Sequence, residues 1–213
     1  MELKKSTQKR NQLLNAALDV FSVYGFSGAS LDEIAQLAQM HKSNIFYYYE
    51  NKEALYVEVL MLVLQKWLEP LQLFEVDREP ADVLSEYIIQ KIEYSKAHSK
   101  ASKLFALEII QGAPYIHTVL KGSIKKHFKR KVKVLQQWQE QGKLAKEIDP
   151  EIFIINLWSI TQSYADFDIQ FEALTGKTLR NRNFHQRAIQ HTVALLLSGC
   201  TAEKSALSEA ENL

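Results

Sequence analysis

The sequence predicts an all-α fold of about nine helices, a small three-helix head followed by a larger helical body. Three observations carry this reading. Glycine and proline number only 7 and 4 in 213 residues, too few for the turns an all-β protein needs. Apolar residues recur at helical spacing, as in Leu14, Leu18 and Phe21, and again in Leu60, Leu64, Trp67 and Leu71. Short helical segments before residue 50 give way to long ones from about residue 52.

The spacing predicts helices near 8–24, 31–38, 42–48, 52–75, 81–98, 100–111, 114–141, 150–171 and 181–199. Gly25 and Gly28 bracket the first turn. Ser30 then offers a hydroxyl N-cap, and Glu33 three residues on completes a capping box. Leu31, Ile34, Ala35 and Ala38 make one apolar face. Asn51 caps the long helix that follows the head, and Pro80 and Pro150 stand at helix starts. The tail 201–213, rich in Ala, Ser and Glu, is expected to fray. The expected division is therefore 1–51, 52–200 and a disordered 201–213.

Composition narrows the function. At 46% hydrophobic and 24% charged the chain has an ordinary globular make-up. A single cysteine, Cys200, excludes an internal disulfide and a cysteine metal cluster. The N-terminus is not a secretory signal, and no run approaches the roughly 18 apolar residues of a membrane span. A cytoplasmic location without membrane contact is expected. The histidines show no metal-ligand spacing, and there is no glycine-rich phosphate loop or nucleophile elbow. No metal, cofactor or enzymatic activity is expected.

The net charge of +1 conceals blocks of opposite sign. Residues 69–93 hold seven acids against two bases, and 147–175 six acids and no base. Residues 121–146 hold nine bases against one acid. Residues 121–133 carry Lys121, Lys125, Lys126, Lys129, Arg130, Lys131 and Lys133, with Ile124, Phe128, Val132 and Leu135 expected inward. A solvated face and a second nucleic-acid surface are both readings of that helix.

A short helix, a tight turn and a second short helix give the geometry that sets the second helix in the major groove of DNA. In 43–49 Ile45 and Tyr49 are expected inward. Lys42, Ser43, Asn44, Tyr47 and Tyr48 are then left outward, with hydroxyls, an amide and a cation suited to base edges and phosphates. Lys52 beside the amides of a helix N-terminus suits a phosphate. The alternative on spacing alone is a compact three-helix bundle with a polar face. Lys4, Lys5, Lys9 and Arg10 form a basic arm ahead of the head, read equally as a solubilising tail or a DNA-backbone contact.

Residues 12–56 resemble the DNA-binding head of the TetR family of bacterial regulators. The matching residues are Ala16-Ala17-Leu18, Phe21, Tyr24-Gly25-Phe26, Ser30-Leu31-Asp32-Glu33-Ile34-Ala35, Lys42 to Tyr49 and Asn51-Lys52-Glu53-Ala54-Leu55-Tyr56. The resemblance implies a homodimeric, DNA-binding transcriptional regulator acting on a palindromic operator of double-stranded DNA, with a ligand-binding and dimerisation body. Ser30, His41, Lys42, Ser43, Asn44, Tyr47, Tyr48 and Lys52 are the expected DNA contacts. One departure is the turn Gln39-Met40-His41. There Gln39 must accept a conformation glycine takes at little cost, and His41 replaces a hydroxyl cap.

The likeness continues through the body. Trp67-Leu68-Glu69-Pro70-Leu71, Gly112-Ala113-Pro114, Ile148-Asp149-Pro150, Trp158-Ser159-Ile160-Thr161-Gln162, Tyr164-Ala165-Asp166-Phe167 and Leu174-Thr175-Gly176 resemble the pyrimidine-utilisation branch of that family. That implies a repressor with uracil or thymine as effector. Trp158, Gln162 and Asp166 form one helical stripe. A carboxamide complements the N–H and C=O edge of an imide, and Trp158 and Trp67 offer flat faces for a ring. Trp67, Phe74, Trp158, Gln162 and Asp166 are the expected effector contacts. The residues alone also allow Trp158 as plain core and Gln162 as a backbone cap.

The dimer seam is expected on 150–171 and 181–199, with Phe184, Ala188, His191 and Leu195 as one stripe. The alternatives are a TetR-type regulator of another small-molecule pathway and, more remotely, a helical interaction protein that does not bind DNA.

Overall fold

The computed structural model describes residues 2–198, and side chains from residue 6. The side chains of Lys4 and Lys5, Cys200 and the tail 201–213 lie outside the described residues. Those described contain no strand and ten α-helices of at least seven residues. In order these are α1 (Glu2–Gly28), kinked at Gly25 where φ is 65°, α2 (Leu31–Leu37), α3 (Lys42–Tyr48), α4 (Lys52–Leu68), α5 (Pro80–Ala97) and α6 (Ser99–Ile110). A single turn, α7 (His117–Val119), precedes α8 (Lys125–Glu140), α9 (Pro150–Asp166), α10 (Asp168–Thr175) and α11 (Arg182–Leu197). The all-α expectation holds.

Three expected long helices are interrupted, each for a local reason. The helix expected over 52–75 stops at Leu68 and tightens into a 3-10 turn, Glu69–Leu73. Pro70 lacks the N–H that would continue the α-helical ladder. The helix expected over 114–141 is broken by a π-type turn, Leu120–Ile124, containing Gly122. The helix expected over 150–171 breaks at Phe167, whose ψ of 28° leaves the helical range. Asp168 then falls in the first turn of α10, where its charge suits the helix dipole.

The chain divides into two compact units, residues up to 66 with 99–119, and 67–98 with those from 120 onward. The first is larger than the three-helix head, since it takes in most of α4 and all of α6 and α7. In it α1 packs on α2 and α6, and α2 on α3. Leu13, Ala17, Phe21, Ile34, Ile45, Leu55 and Leu104 are buried. Glu108 of α6 is fully buried. Its carboxylate accepts the Tyr56 hydroxyl at 3.2 Å and the Tyr115 amide at 2.8 Å, bonds that offset the cost of burying a carboxylate.

In the second unit α5 packs on α9 and α11, and α8 on α9. Leu84, Tyr87, Ile88, Ile92, Leu135, Trp138, Ile154 and Leu157 are part of one core cluster. The 141–149 connection is held by Gln139, whose amide donates to the carbonyls of Ala145 and Ile148 at 2.9 and 2.8 Å. Asp149 caps α9 by accepting the Glu151 and Ile152 amides at 2.8 and 3.0 Å. Among the described residues no helix is long and apolar enough to cross a membrane.

Candidate functional site

The head presents its polar residues through two short helices and one strained turn. Ser30 caps α2, its Oγ accepting the Asp32 amide at 3.1 Å, and its own O–H remains available as a donor. The turn after α2 is a Schellman motif. Met40 N–H bonds the Ala35 carbonyl at 3.0 Å and Gln39 N–H the Gln36 carbonyl at 3.0 Å. The motif needs a left-handed residue, and Gln39 supplies it at φ 53°. The same bonding pattern ends α6 and α8, but there Gly112 and Gly142 hold the left-handed position.

His41 opens α3 with no side-chain cap hydrogen bond, so its imidazole does not replace the missing hydroxyl. Ile45 is fully buried and Tyr49 buried, as their spacing predicts. His41, Lys42, Ser43, Asn44 and Tyr47 are exposed, Tyr47 at 80%, and Tyr48 is half-buried. The Tyr47 and Tyr48 rings meet edge to face at 5.0 Å. Lys42 is not a bare cation, because its ammonium pairs with Asp32 at 2.8 Å. Phe46, at 52% exposure, joins this surface without having been singled out in the sequence.

Lys52 is turned inward. Its ammonium donates to the Ala29 carbonyl at 3.0 Å and lies 4.6 Å from the centroid of the Phe26 ring. The cation therefore ties the first turn of α4 to the connection between α1 and α2. Asn51 caps α4 as expected, accepting the Ala54 amide at 2.8 Å.

In the second unit Trp67, Phe74, Trp158 and Asp166, four of the residues expected to meet an effector, lie close to Tyr87 or Lys91, two that sequence reasoning missed. Trp67 and Trp158 pack edge to face at 5.0 Å, and Phe128 meets Trp158 at 5.6 Å. Phe74 packs on Tyr87 at 5.4 Å. Lys91, only 1% exposed, sets its ammonium 3.7 Å from the Trp67 ring centroid and donates to the Trp67 carbonyl at 3.4 Å. Burial drives the Lys91 pKa well below the ordinary lysine value, opposed by the nearby Asp166 carboxylate.

Tyr87 lies beside Trp158, and burial pushes its phenol pKa strongly upward while the neighbouring indole N–H pulls it slightly back. Even so, neither Tyr87 Oη nor Trp158 Nε1 completes a hydrogen bond with protein. Gln162, one turn beyond Trp158, is half-buried. The unit thus gathers aromatic faces, a buried lysine and two buried polar atoms without a protein partner.

Lys91 and Tyr87 did carry a signal. Leu84, Tyr87, Ile88, Lys91 and Ile92 form the buried stripe of α5, and a lysine at a core register invites a polar explanation.

Residues 13–59 match the family model for bacterial regulatory proteins of the tetR family. Residues 60–203 match the model for the YcdC-like protein C-terminal region. The HTH-type transcriptional regulator RutR of Escherichia coli K12 is 41% identical over 191 residues, covering 90% of this chain and 90% of that protein. The HTH-type transcriptional repressor SCO4008 of Streptomyces coelicolor is 30% identical over 139 residues, 64% of this chain and 68% of that one.

Solved structures share the fold. A TetR-like regulator from Rhodococcus sp. RHA1 superposes with a TM-score of 0.65 at 22% identity, covering 90% of this chain and 94% of that one. AibR, solved with isovaleryl coenzyme A and operator DNA, gives 0.66 at 17% identity, covering 88% and 97%.

Proposed function

Because the chain belongs to the TetR family of bacterial transcriptional regulators, we propose that it is a homodimeric repressor released from its operator by a pyrimidine. The head reads palindromic double-stranded DNA. Asn44 and Ser43 suit base edges, and Tyr47, Tyr48, Lys42, His41 and the free O–H of Ser30 suit phosphates. Lys52 acts in DNA binding by positioning the turn ahead of α2.

One observation carries the effector reading: Tyr87 Oη and Trp158 Nε1 are buried without a hydrogen-bond partner, close to the Lys91 ammonium and the Trp67 ring. Burial without partners costs roughly 1–3 kcal/mol for each such group, a cost a bound ligand recovers. Uracil and thymine match in kind. They are flat, so Trp67, Trp158 and Phe74 can enclose them, and their imide edge pairs with the Gln162 carboxamide. Their carbonyl oxygens accept from Lys91 and the Trp158 N–H. Asp166 supports the Lys91 charge.

The dimer seam falls on α9 and α11, where Ile152, Ile155 and Leu195 are exposed in the single chain at 54%, 46% and 67%. A second copy covering them removes that apolar surface from water.

Calorimetric titration with uracil and with thymine, paired with release of an operator duplex selected from genomic DNA, tests the reading. Saturable binding with release supports it. Silence from both pyrimidines refutes the effector and leaves the family membership standing.

A further inference from the structure

We propose that α8 carries a second, sequence-independent contact for the nucleic-acid phosphate backbone, separate from the helix-turn-helix head. Seven basic residues and no acid occupy 121–133. Lys131 alone turns inward, donating to the Phe74 carbonyl at 3.2 Å. Lys121, Lys125, Lys126, Lys129, Arg130 and Lys133 are exposed and line one shallow cavity of about 410 Å³. None of these six forms an ion pair among the described residues.

The arrangement breaks a local rule. Within α8 Lys125, Lys129 and Lys133 follow one another at i, i+4, and Lys126 and Arg130 repeat the spacing, so like charges are stacked along one face, with Lys121 beyond them in the preceding π-type turn. Ile124, Val132 and Leu135 on the opposite side are buried, so packing holds the charged stripe in a single orientation. Local conflicts of this kind mark sites shaped by something other than stability.

The chemistry favours one occupant. From Lys125 to Lys133 the stripe runs about 12 Å along α8, at 1.5 Å per residue, and Lys121 extends it through the preceding turn. An extended polyanion meets that length, whereas a single small phosphate meets only part of it. The stripe's lysines and arginine lie beside a glycine in that cavity, without the amides and aromatic rings that read bases. Such a face recognises phosphates and not sequence. A regulator already concentrated on DNA has this partner at hand.

The test titrates full-length protein onto a short duplex lacking an operator and measures affinity against salt. Replacing Lys121, Lys125, Lys129 and Lys133 together with Gln should flatten the log–log slope by about 0.9 for each phosphate no longer neutralised, roughly 3–4 in all. Arginine at the same four positions should restore it. The smaller pair Lys125→Gln and Lys129→Gln, expected to flatten it by roughly 1.8, serves if the fourfold variant fails to fold. The difference should persist when the head is disabled by Asn44→Ala with Tyr47→Ala. An unchanged slope overturns the proposal, as does a difference that vanishes with the head disabled. Loss of pyrophosphate binding in the Gln variant with an unchanged duplex slope also overturns it, and assigns the face to a small anion.

Discussion

The Lys91 ammonium lies 3.7 Å from the centroid of the Trp67 ring, in a setting that leaves the lysine 1% exposed. The ring face and Asp166 favour the charge, and desolvation outweighs them. Since the folded pKa is depressed, the folded protein binds fewer protons than the unfolded chain below the unfolded lysine value of about 10.4. Stability therefore rises as pH climbs from the folded value toward about 10.4.

Lys91→Met removes that penalty and should stabilise the effector-free protein at neutral pH by about 1–4 kcal/mol. Denaturant unfolding from neutral to alkaline pH should show the variant's advantage shrinking as pH rises. An advantage that is constant with pH would show that Lys91 is not the titrating group. Effector binding should be lost in the same variant.

Gln162→Ala should weaken effector binding by about 1–3 kcal/mol, roughly 5- to 150-fold, through loss of the paired donor and acceptor. Operator affinity without effector should stay within a factor of two or so, since the residue lies in the second unit. Calorimetry and an operator titration on the same preparation check both halves. Loss of operator binding as well would give Gln162 a structural role.

Asp32 holds Lys42 in an exposed ion pair at 2.8 Å. Such pairs contribute little stability, about 0–1 kcal/mol, so Asp32→Asn chiefly frees the Lys42 cation and removes a negative charge beside it. Operator affinity at low salt should rise, with the salt slope steepening by about 0.9 if Lys42 gains a phosphate. Lys42→Ala should move both in the opposite direction. Unchanged slopes in both variants would take Lys42 out of the interface.

Gln39 occupies a left-handed position that glycine fills at the ends of α6 and α8. A left-handed non-glycine residue costs about 1–2 kcal/mol, while glycine loses about 0.4–1 kcal/mol through the entropy of the unfolded chain. Gln39→Gly should therefore stabilise the protein by about 0.5 kcal/mol or slightly more, read as a small rise in denaturation midpoint. Gln39→Val should lower it, since β-branching worsens the strain.

Much of the head was legible in the residues because its signals are short-range. Ser30 and Asn51 announce helix starts within three residues, and the Ile45 and Tyr49 pair orients α3. The misread helix lengths were also local matters, but Pro70 and Phe167 compete with long apolar patterns that favour continuation. Lys52 reads outward in one dimension and turns inward because Phe26 and the Ala29 carbonyl, more than twenty residues earlier, offer its ammonium a closer partner than solvent.

By itself the sequence determined an all-α chain with a helix-turn-helix head, its family, the inward side of α3 and the basic stripe of α8. Caps, periodicity and charge runs act within a few residues of one another. Only the tertiary structure decided that Trp67, Tyr87, Lys91 and Trp158, drawn from α4, α5 and α9, surround one another. That juxtaposition depends on which helices pack together, and no local spacing encodes it. Tertiary packing also withdrew Lys91 from water, and a lysine's chemistry is set by its solvation.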